Sequence, residues 1–336
     1  HAPNIHQGGG RTLLLSLLSS LPCGTCLILD ERMSVSSDIT EKFKVIYVGA
    51  TLCKRFKAEI LLWKLVEEKD RVLCFGNLPP LFSLKGRTSL FLQNRFLVDD
   101  VRLTGFSFKS KVRISIERLW FKLFIRHVDR FLVQTLSMKD LCKARFSINP
   151  ELAPFCADAD LFSRSIDVVA EGGTHYDFLY GASGEPHKNH RTLVRAWCVL
   201  AEANVYPSLC LTLEEETYPD IVEWVTMMIL KHRLRITVCG QIPSSDIGHL
   251  YKSARGLIFP SFLESFGLPL IEARIAGLPI IASELDYVRD IVEPDETFDP
   301  NSPVSIARAV ARFMGKNLKS PTLLDAKSFL SVAFND

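Results

Sequence analysis

The chain has 336 residues, of which 47% are hydrophobic and 23% are charged. This composition is typical of a well-packed enzyme with two domains and excludes an intrinsically disordered chain. The formal net charge of +2 hides an asymmetry, because residues 1–164 contain 25 Lys and Arg against 16 Asp and Glu, whereas the remainder contains 15 against 22. The first half therefore favours anionic partners, and the second half does not.

Nine Cys residues are scattered along the chain, and an odd number without a secretory signal indicates a reducing compartment. No apolar run approaches the 18 residues that a membrane-spanning helix needs. We therefore expect a cytoplasmic protein.

The first half alternates helices with strands. A glycine run at residues 8–10 precedes a helix with Leu13, Leu14, Leu17 and Leu18 on one face, and short apolar runs predict strands at residues 26–29, 45–48, 72–76 and 89–93. This alternation predicts a doubly wound parallel sheet whose ligands bind at the carboxyl ends of the strands. Gly9 and Gly10 allow a backbone to approach a phosphate or sugar closely, although a plain flexible turn is the alternative.

Residues 102–126 combine seven Lys and Arg with five aromatic side chains. Such a stretch is typical of a helix lying in the headgroup plane of an anionic membrane. A core-packing helix with a charged outer face and a nucleic-acid contact are the alternatives. The sequence carries no nucleic-acid-binding module, so we expect no nucleic acid partner.

A connector rich in structure breakers follows near residues 150–170, so we predict domains at residues 1–160 and 161–320. Asp158 and Asp160 form an Asp-x-Asp pair in this connector, which we interpret as structural because two carboxylates are too few for a Mg²⁺ site. His187 and His190 have a spacing that metal ligands also use, but we interpret them as loop residues. No metal site is predicted.

Two glutamates eight positions apart carry the most functional information. Glu264 follows an apolar strand at residues 257–261, and Glu272 lies in a helix that opens near Pro269 and ends near Gly277. The start of a helix after a parallel strand favours an anion such as phosphate, whereas carboxylates require hydroxyl groups or a developing cation. A sugar nucleotide supplies the anion, the hydroxyl groups and the developing cation. A solvated helix whose Glu272 merely favours the helix dipole is the alternative.

At this motif the chain resembles the retaining nucleotide-sugar glycosyltransferases of family 4, whose second domain carries Glu, seven residues and Glu around a Ser-Phe-Gly-Leu-Pro core. The resemblance implies the GT-B fold, with two Rossmann-like domains facing a central cleft. It also implies that Glu272 holds the donor ribose and that Glu264 lies beside the transferred sugar. The backbone of the loop between them would contact the sugar and the distal phosphate. These loop residues are Ser265, Phe266, Gly267 and Leu268.

Other roles follow from the same resemblance. Lys188 and Asn189 occupy the position of a Lys-Gly or Lys-Asn pair whose ammonium meets the donor pyrophosphate. Many relatives have an Arg six residues before this Lys, where this chain has Ala182. Gly240 and Ile242 lie where the family receives the nucleotide base, with Ile242 as the stacking side chain.

In the first domain, Gly9 and Gly10 would border the cleft, and Asn94 would contact the acceptor or the sugar unless it merely caps its loop. The resemblance implies that an apolar first strand should precede His1 and that residues 321–336 form a helix packing back on the first domain.

The sequence therefore predicts a metal-independent retaining hexosyltransferase with Glu264 and Lys188 as catalytic residues. It would need no cofactor beyond a UDP- or GDP-linked donor. Its acceptor would be a saccharide or a lipid-linked saccharide of bacterial surface polysaccharide assembly, and the basic first domain suits a peripheral contact with the inner face of the cell membrane. A nucleotide-sugar epimerase and a non-catalytic binding protein of the same fold are the alternatives.

Overall fold

In the computed structural model, the described residues are 1–101, 103–156, 175–243, 246–316, 318 and 326. They form two lobes, each built on parallel β-sheet with helices packed around it. All strand pairs among these residues are parallel, so the predicted α/β class is confirmed. The Asp158–Asp160 pair, the predicted boundary at residue 160 and most of the predicted last helix lie outside the described residues.

The first lobe contains, in chain order, α1 (Gly8–Ser19), β1 (Cys26–Asp30), α2 (Ser37–Lys42), β2 (Lys44–Val48), α3 (Leu52–Leu65), β3 (Arg71–Cys74), β4 (Arg87–Phe91), α4 (Arg95–Val98), α5 (Phe108–Phe124), β5 (Arg130–Val133), α6 (Leu136–Phe146) and β6 (Glu151–Leu152). Strands β3 to β6 form one sheet in sequence order, and β1 pairs with β2. Backbone hydrogen bonds join the two sheets through the first two residues. The His1 ammonium donates to the Leu73 carbonyl oxygen at 2.8 Å, and the Ala2 N–H donates to that of Ile28 at 2.8 Å.

The second lobe contains β7 (Phe178–Tyr180), α7 (His190–Glu202), β8 (Leu209–Leu211), α8 (Pro219–His232), β9 (Ile236–Val238), α9 (Ile247–Lys252), β10 (Leu257–Phe259), α10 (Leu268–Ile275), β11 (Ile280–Ser283), α11 (Asp286–Arg289), β12 (Glu296–Phe298) and α12 (Pro303–Phe313). Its six strands run in the order β12-β11-β10-β7-β8-β9. Every residue of β7, β8, β10 and β11 is buried, as expected of strands covered on both faces. The strand order reverses at β7, so the loops after β7 and β10 flank the crevice where ligands of such sheets bind.

His190 is a buried polar side chain in the second lobe. It begins α7 and is 3% exposed, with its ring centroid 5.0 Å from that of Tyr180. Neither ring nitrogen has a hydrogen-bond partner among the described residues. Burial, with a further contribution from the Lys188 charge, lowers the pKa of His190 to about 3. Between pH 6.5 and about 3 the imidazole is therefore neutral in the folded chain and protonated in the unfolded chain.

This difference predicts a loss of stability in acid. Folding lowers the pKa of His190 from 6.5 to about 3. The stability that comes with a neutral His190 is therefore fully present above pH 6.5, and it is lost as the pH falls toward 3. We expect His190→Leu to make the free energy of unfolding less pH-dependent across that window, by about 1.4 kcal/mol per pH unit. Urea unfolding between pH 4.5 and 7.5 measures this slope. His249→Leu, at an exposed position of α9, is the matched control. Equal slopes for wild type and His190→Leu would contradict the assignment.

Candidate active site

A cavity of about 600 Å³ lies between the two lobes. Its walls come from the carboxyl ends of strands in both lobes, as expected of parallel sheets that face each other. The first lobe contributes Ile5, Gln7, residues 8–10, Thr12, Leu13, Asn77, Gln93 and Gln134. The second lobe contributes most of the polar groups, chiefly from the loops after β7, β8 and β10 and from α9 and α10.

The loop after β10 brings the two predicted glutamates to this cavity. Glu264, Glu272 and every residue from 265 to 269 line it. Gly267 precedes α10 with φ of 70°, a left-handed conformation that glycine adopts without a steric penalty. No described side chain caps this helix start. Pro269 has no N–H and the Leu270 N–H donates to the Gly267 carbonyl oxygen at 2.9 Å, so at this helix start it is the Leu268 N–H that keeps its capacity to bind an anion, which the helix dipole favours.

Glu264 and Lys188 form an ion pair inside the cavity. The Lys188 ammonium donates to both carboxylate oxygens of Glu264, at 2.7 and 2.9 Å. The Lys188 side chain is 19% exposed and that of Glu264 12%, so water screens the pair only weakly. Lys188 ends a short 3₁₀ turn at Pro186–Lys188, and the Tyr180 hydroxyl donates to its carbonyl oxygen at 2.7 Å. The two predicted catalytic side chains are thus brought together across 76 positions of sequence.

The charge balance of the cavity is acidic. Among the described lining residues, Lys188 is the only Lys or Arg, against the carboxylates of Glu185, Glu214, Glu264 and Glu272. Ala182, where many relatives have an Arg, also lines the cavity, and its N–H donates to the Thr212 hydroxyl at 3.1 Å. No second cation in the described lining replaces that Arg. An anion bound here would have to depend on Lys188 and on backbone N–H groups.

Glu272 is held by a tyrosine that the sequence analysis missed. The Tyr251 hydroxyl donates to a carboxylate oxygen of Glu272 at 2.8 Å. Burial raises the pKa of Glu272, although this hydrogen bond acts in the opposite direction. The second carboxylate oxygen can accept a hydrogen bond from a ligand hydroxyl in the same cavity.

Glu185 forms a second polar cluster that sequence reasoning missed. The Tyr218 hydroxyl donates to one of its carboxylate oxygens at 2.7 Å, and the Ser183 hydroxyl donates to the other. Burial alone would raise the pKa of Glu185, but these hydroxyls and the Lys188 charge outweigh it and lower that pKa. Glu185 therefore stays ionised, and its two oxygens are already occupied by the protein.

The first lobe meets the loop after β10 at the glycine run. A Cβ atom on Gly9 would lie 3.0 Å from the Leu268 Cδ1 atom, so the absence of a side chain permits this approach. Gly9 and Gly10 both line the cavity. Hydrogen bonds nearby also join the lobes. The Ser137 hydroxyl and N–H donate to the Asp290 carboxylate at 2.6 and 2.8 Å, and the Thr135 hydroxyl donates to the Ser265 carbonyl oxygen at 3.3 Å.

Three predicted site residues lie outside the cavity lining. Asn94 caps α4 by accepting from the Phe96 N–H at 3.0 Å, which is the loop-capping alternative. Asn189 is 5% exposed and donates to the carbonyl oxygens of Pro260 and Pro300 at 3.0 and 2.8 Å, so both its amide hydrogens are used within the protein. Gly240, with φ of 71°, turns the chain so that the following residues, including Ile242, line the cavity instead.

The two histidines that follow β7 both pack against aromatic side chains. His187 packs against Phe96 and Phe106, with ring centroids 5.2 and 6.0 Å away, and burial lowers its pKa to about 4. His190 is the buried residue described above. Within residues 1–101, 103–156, 175–243 and 246–316, no three His, Cys, Asp or Glu side chains are grouped as metal ligands.

The chain is similar to known glycosyltransferases. Residues 164–324 match the family model of glycosyl transferases group 1. Over 131 residues the chain is 32% identical to O-antigen chain mannosyltransferase B of Escherichia coli, covering 38% of this chain and 34% of that protein. It is 22% identical over 252 residues to O-antigen chain mannosyltransferase RfbU of Salmonella typhimurium (strain LT2), covering 71% and 69%. The chain thus spans about a third of the first relative and about two thirds of the second.

Solved structures give the fold. Anabaena Alr3699/HepE in complex with UDP and glucose superposes with a TM-score of 0.67 at 15% identity, covering 91% of this chain and 86% of that one. WaaG, a glycosyltransferase involved in lipopolysaccharide biosynthesis, superposes with a TM-score of 0.63 at 14% identity, covering 94% and 89%. At such identities the likeness shows the fold alone. The chain has the GT-B fold, as the sequence predicts.

Proposed function

We propose that this chain is a retaining glycosyltransferase of family 4. It moves a hexose from a UDP- or GDP-linked donor to a saccharide or lipid-linked acceptor, in the biosynthesis of a bacterial surface polysaccharide. The observation that carries the proposal is the common cavity of Glu264, Glu272, Lys188 and the uncapped start of α10. The match of residues 164–324 to glycosyl transferases group 1 and the similarity to two O-antigen mannosyltransferases support the reaction and the pathway class.

The donor would lie along the second-lobe wall of the cavity. The free oxygen of Glu272 accepts from the ribose hydroxyls while Tyr251 holds the other oxygen. The pyrophosphate lies at the start of α10, where Phe266, Gly267 and Leu268 line the cavity and can offer their backbone N–H groups. The base lies against Ile242, which lines the same wall. Gly9 and Gly10 close the cavity from the first lobe.

The ion pair of Lys188 and Glu264 supplies the chemistry. When the donor binds, the Lys188 ammonium moves from Glu264 to the pyrophosphate and stabilises the negative charge that grows as the anomeric C–O bond breaks. Glu264, released from its partner, orients the sugar hydroxyls and stabilises the developing oxocarbenium ion. The acceptor hydroxyl attacks on the face that the pyrophosphate leaves and transfers its proton to the departing phosphate oxygen. The scheme uses no metal ion.

Donor binding is tested by thermal shift with UDP, GDP and their hexose derivatives. We expect one nucleotide series to raise the Tm by several degrees, since a ligand at 100 times its Kd adds about 2.7 kcal/mol. Glu272→Ala should abolish the shift because the ribose loses its acceptor. Glu223→Gln, at an exposed position of α8, is the matched control and should keep the shift. Equal shifts in wild type and Glu272→Ala would contradict the ribose role.

Turnover tests the catalytic pair. We expect Lys188→Met and Glu264→Gln each to lower kcat by roughly 100-fold or more, because each removes a preorganised charge from the reacting centre. Lys231→Met, at an exposed position of α8, is the control for the lysine. NMR of the product should show the donor's anomeric configuration. An inverted product would exclude retention, and an epimerised sugar nucleotide formed without acceptor would identify an epimerase instead.

We also propose that α5 attaches the first lobe to an anionic membrane. Apolar side chains on this helix are exposed, with Phe108 at 81%, Ile116 and Leu119 at 57%, and Leu123 at 61%. The same helix carries exposed Lys109, Lys111, Arg113 and Lys122. Exposed apolar groups bordered by cations suit the headgroup region of an anionic bilayer. None of the described helices is long and apolar enough to span a membrane.

Vesicle co-sedimentation tests this attachment. The protein should bind vesicles of phosphatidylglycerol, bind phosphatidylcholine vesicles more weakly, and dissociate as salt is raised. Reversing Lys111 and Lys122 to Glu should lower the partition coefficient at least tenfold, since each surface cation contributes about 1 kcal/mol. Reversing Arg195 and Lys231, exposed on the second lobe, is the matched control. The same loss in both double variants would contradict a role specific to α5.

A further inference from the structure

A second cavity of about 600 Å³ lies in the first lobe, between α3 and α5. Its walls are mostly apolar, with Phe56 of α3 opposite Phe108, Val112, Ile116 and Trp120 of α5. The Trp120 ring is fixed because its N–H donates to the Pro79 carbonyl oxygen at 2.9 Å. The volume lies within the roughly 300–1,000 Å³ that small-molecule sites occupy. None of these five residues lines the cavity between the lobes.

One end of this cavity adjoins the candidate active site. Asn4 and Gly76 line it, and their sequence neighbours Ile5 and Asn77 line the cavity between the lobes. The Asn4 amide donates to the Gly76 carbonyl oxygen at 2.7 Å, and a Cβ atom on Gly76 would collide with the Asn4 side chain. The Asn4 Oδ1 atom is buried without a hydrogen-bond partner among the described residues. The contact between Asn4 and Gly76 therefore lies where the linings of the two cavities adjoin along the chain.

Cations line the same cavity. Arg55, Lys109 and Arg113 contribute to its walls, together with Glu59 and Glu117. The Arg55 Nε atom is buried and has no hydrogen-bond partner among the described residues. Glu59 is engaged, since it accepts from the Leu81 N–H at 2.8 Å, and burial raises the pKa of both glutamates. Arg55 and Arg113 make only long ion pairs, at 3.9 Å to Asp30 and to Glu117, and Lys109 makes none among the described residues. These basic groups can therefore contact an anion beside the apolar wall.

We propose that this cavity binds the lipid end of the acceptor, an alkyl or prenyl chain that ends in a phosphate. The chain would lie on Phe56, Val112, Ile116 and Trp120, and its phosphate would meet Arg55, Lys109 and Arg113. The contact between Asn4 and Gly76 then marks the point where the acceptor passes toward the donor sugar. This inference rests on the proposed transferase function and selects a lipid-linked acceptor over a free saccharide.

Fluorescence quenching tests the site directly. Dodecyl phosphate brominated in mid-chain and used below its critical micelle concentration should quench Trp120. Trp63→Phe, which removes a Trp of α3 outside this cavity, should keep the quenching, whereas Trp120→Phe should remove most of it. Brominated dodecanol should bind roughly tenfold more weakly because it lacks the charge-assisted contacts, and inorganic phosphate should not compete at the same concentration.

Two aspartate variants separate the cavity from general adhesion of α5. Ile116 and Leu119 are both 57% exposed, but only Ile116 lines this cavity. We expect Ile116→Asp to weaken dodecyl phosphate binding by roughly tenfold or more and Leu119→Asp to leave it nearly unchanged. Equal losses in the two variants, or quenching that survives Trp120→Phe, would overturn the proposal.

The thermal shift with nucleotides distinguishes a failure of the lipid site from a failure of the proposed transferase function. Ile116→Asp should show the same nucleotide shift as wild type, which also establishes that the variant folds. If the nucleotide stabilises both proteins while dodecyl phosphate fails to quench Trp120, the lipid site is wrong and the transferase proposal stands. If dodecyl phosphate quenches Trp120 but no nucleotide binds, the cavity is a lipid site and the transferase proposal fails.

Discussion

The ion pair between Lys188 and Glu264 is the interaction on which the cleft depends. It joins the loop after β7 to the loop after β10, and these two strands are neighbours at the centre of the sheet. It also sets the only Lys or Arg of the described lining against four carboxylates. Without the ammonium, these carboxylates would repel one another and any anionic ligand. The same ammonium that holds the two loops together is therefore the one that a pyrophosphate would recruit.

Much of the second lobe could be predicted from the sequence because its signals are local. The apolar run at residues 280–283 coincides with β11. Pro269 and Gly277 indicated the two ends of α10 to within two residues. Continuous apolar strands are expected where both faces of a sheet are covered. The placement of Glu264 and Glu272 followed from the same segment, since both flank one turn between a strand and a helix.

The rest could not be predicted because it depends on distant partners. Nothing near Glu272 in the sequence indicates that Tyr251, 21 positions away, donates to it, and Tyr218 lies 33 positions from Glu185. Asn94 lies outside the cavity lining for a local reason, since short amide side chains bond nearby backbone groups at helix starts. Asn189 instead donates to the carbonyl oxygens of Pro260 and Pro300, 71 and 111 positions away. The cavity of α3 and α5 was missed because periodicity identifies an apolar face but not what covers it.

The hydrogen bonds from Ser137 to Asp290 join residues 153 positions apart, at the start of α6 and the end of α11. Together with the hydrogen bond from Thr135 to Ser265 they join the lobes by polar contacts, while the glycine run packs against Leu268 and His187 packs against Phe96 and Phe106. A hinge motion that preserved these hydrogen bonds would have its axis there, and the two lobes would move as rigid bodies around it. Entry of a bulky substrate and release of its product would then require only a rotation of the lobes about the contact between Ser137 and Asp290, and no unfolding.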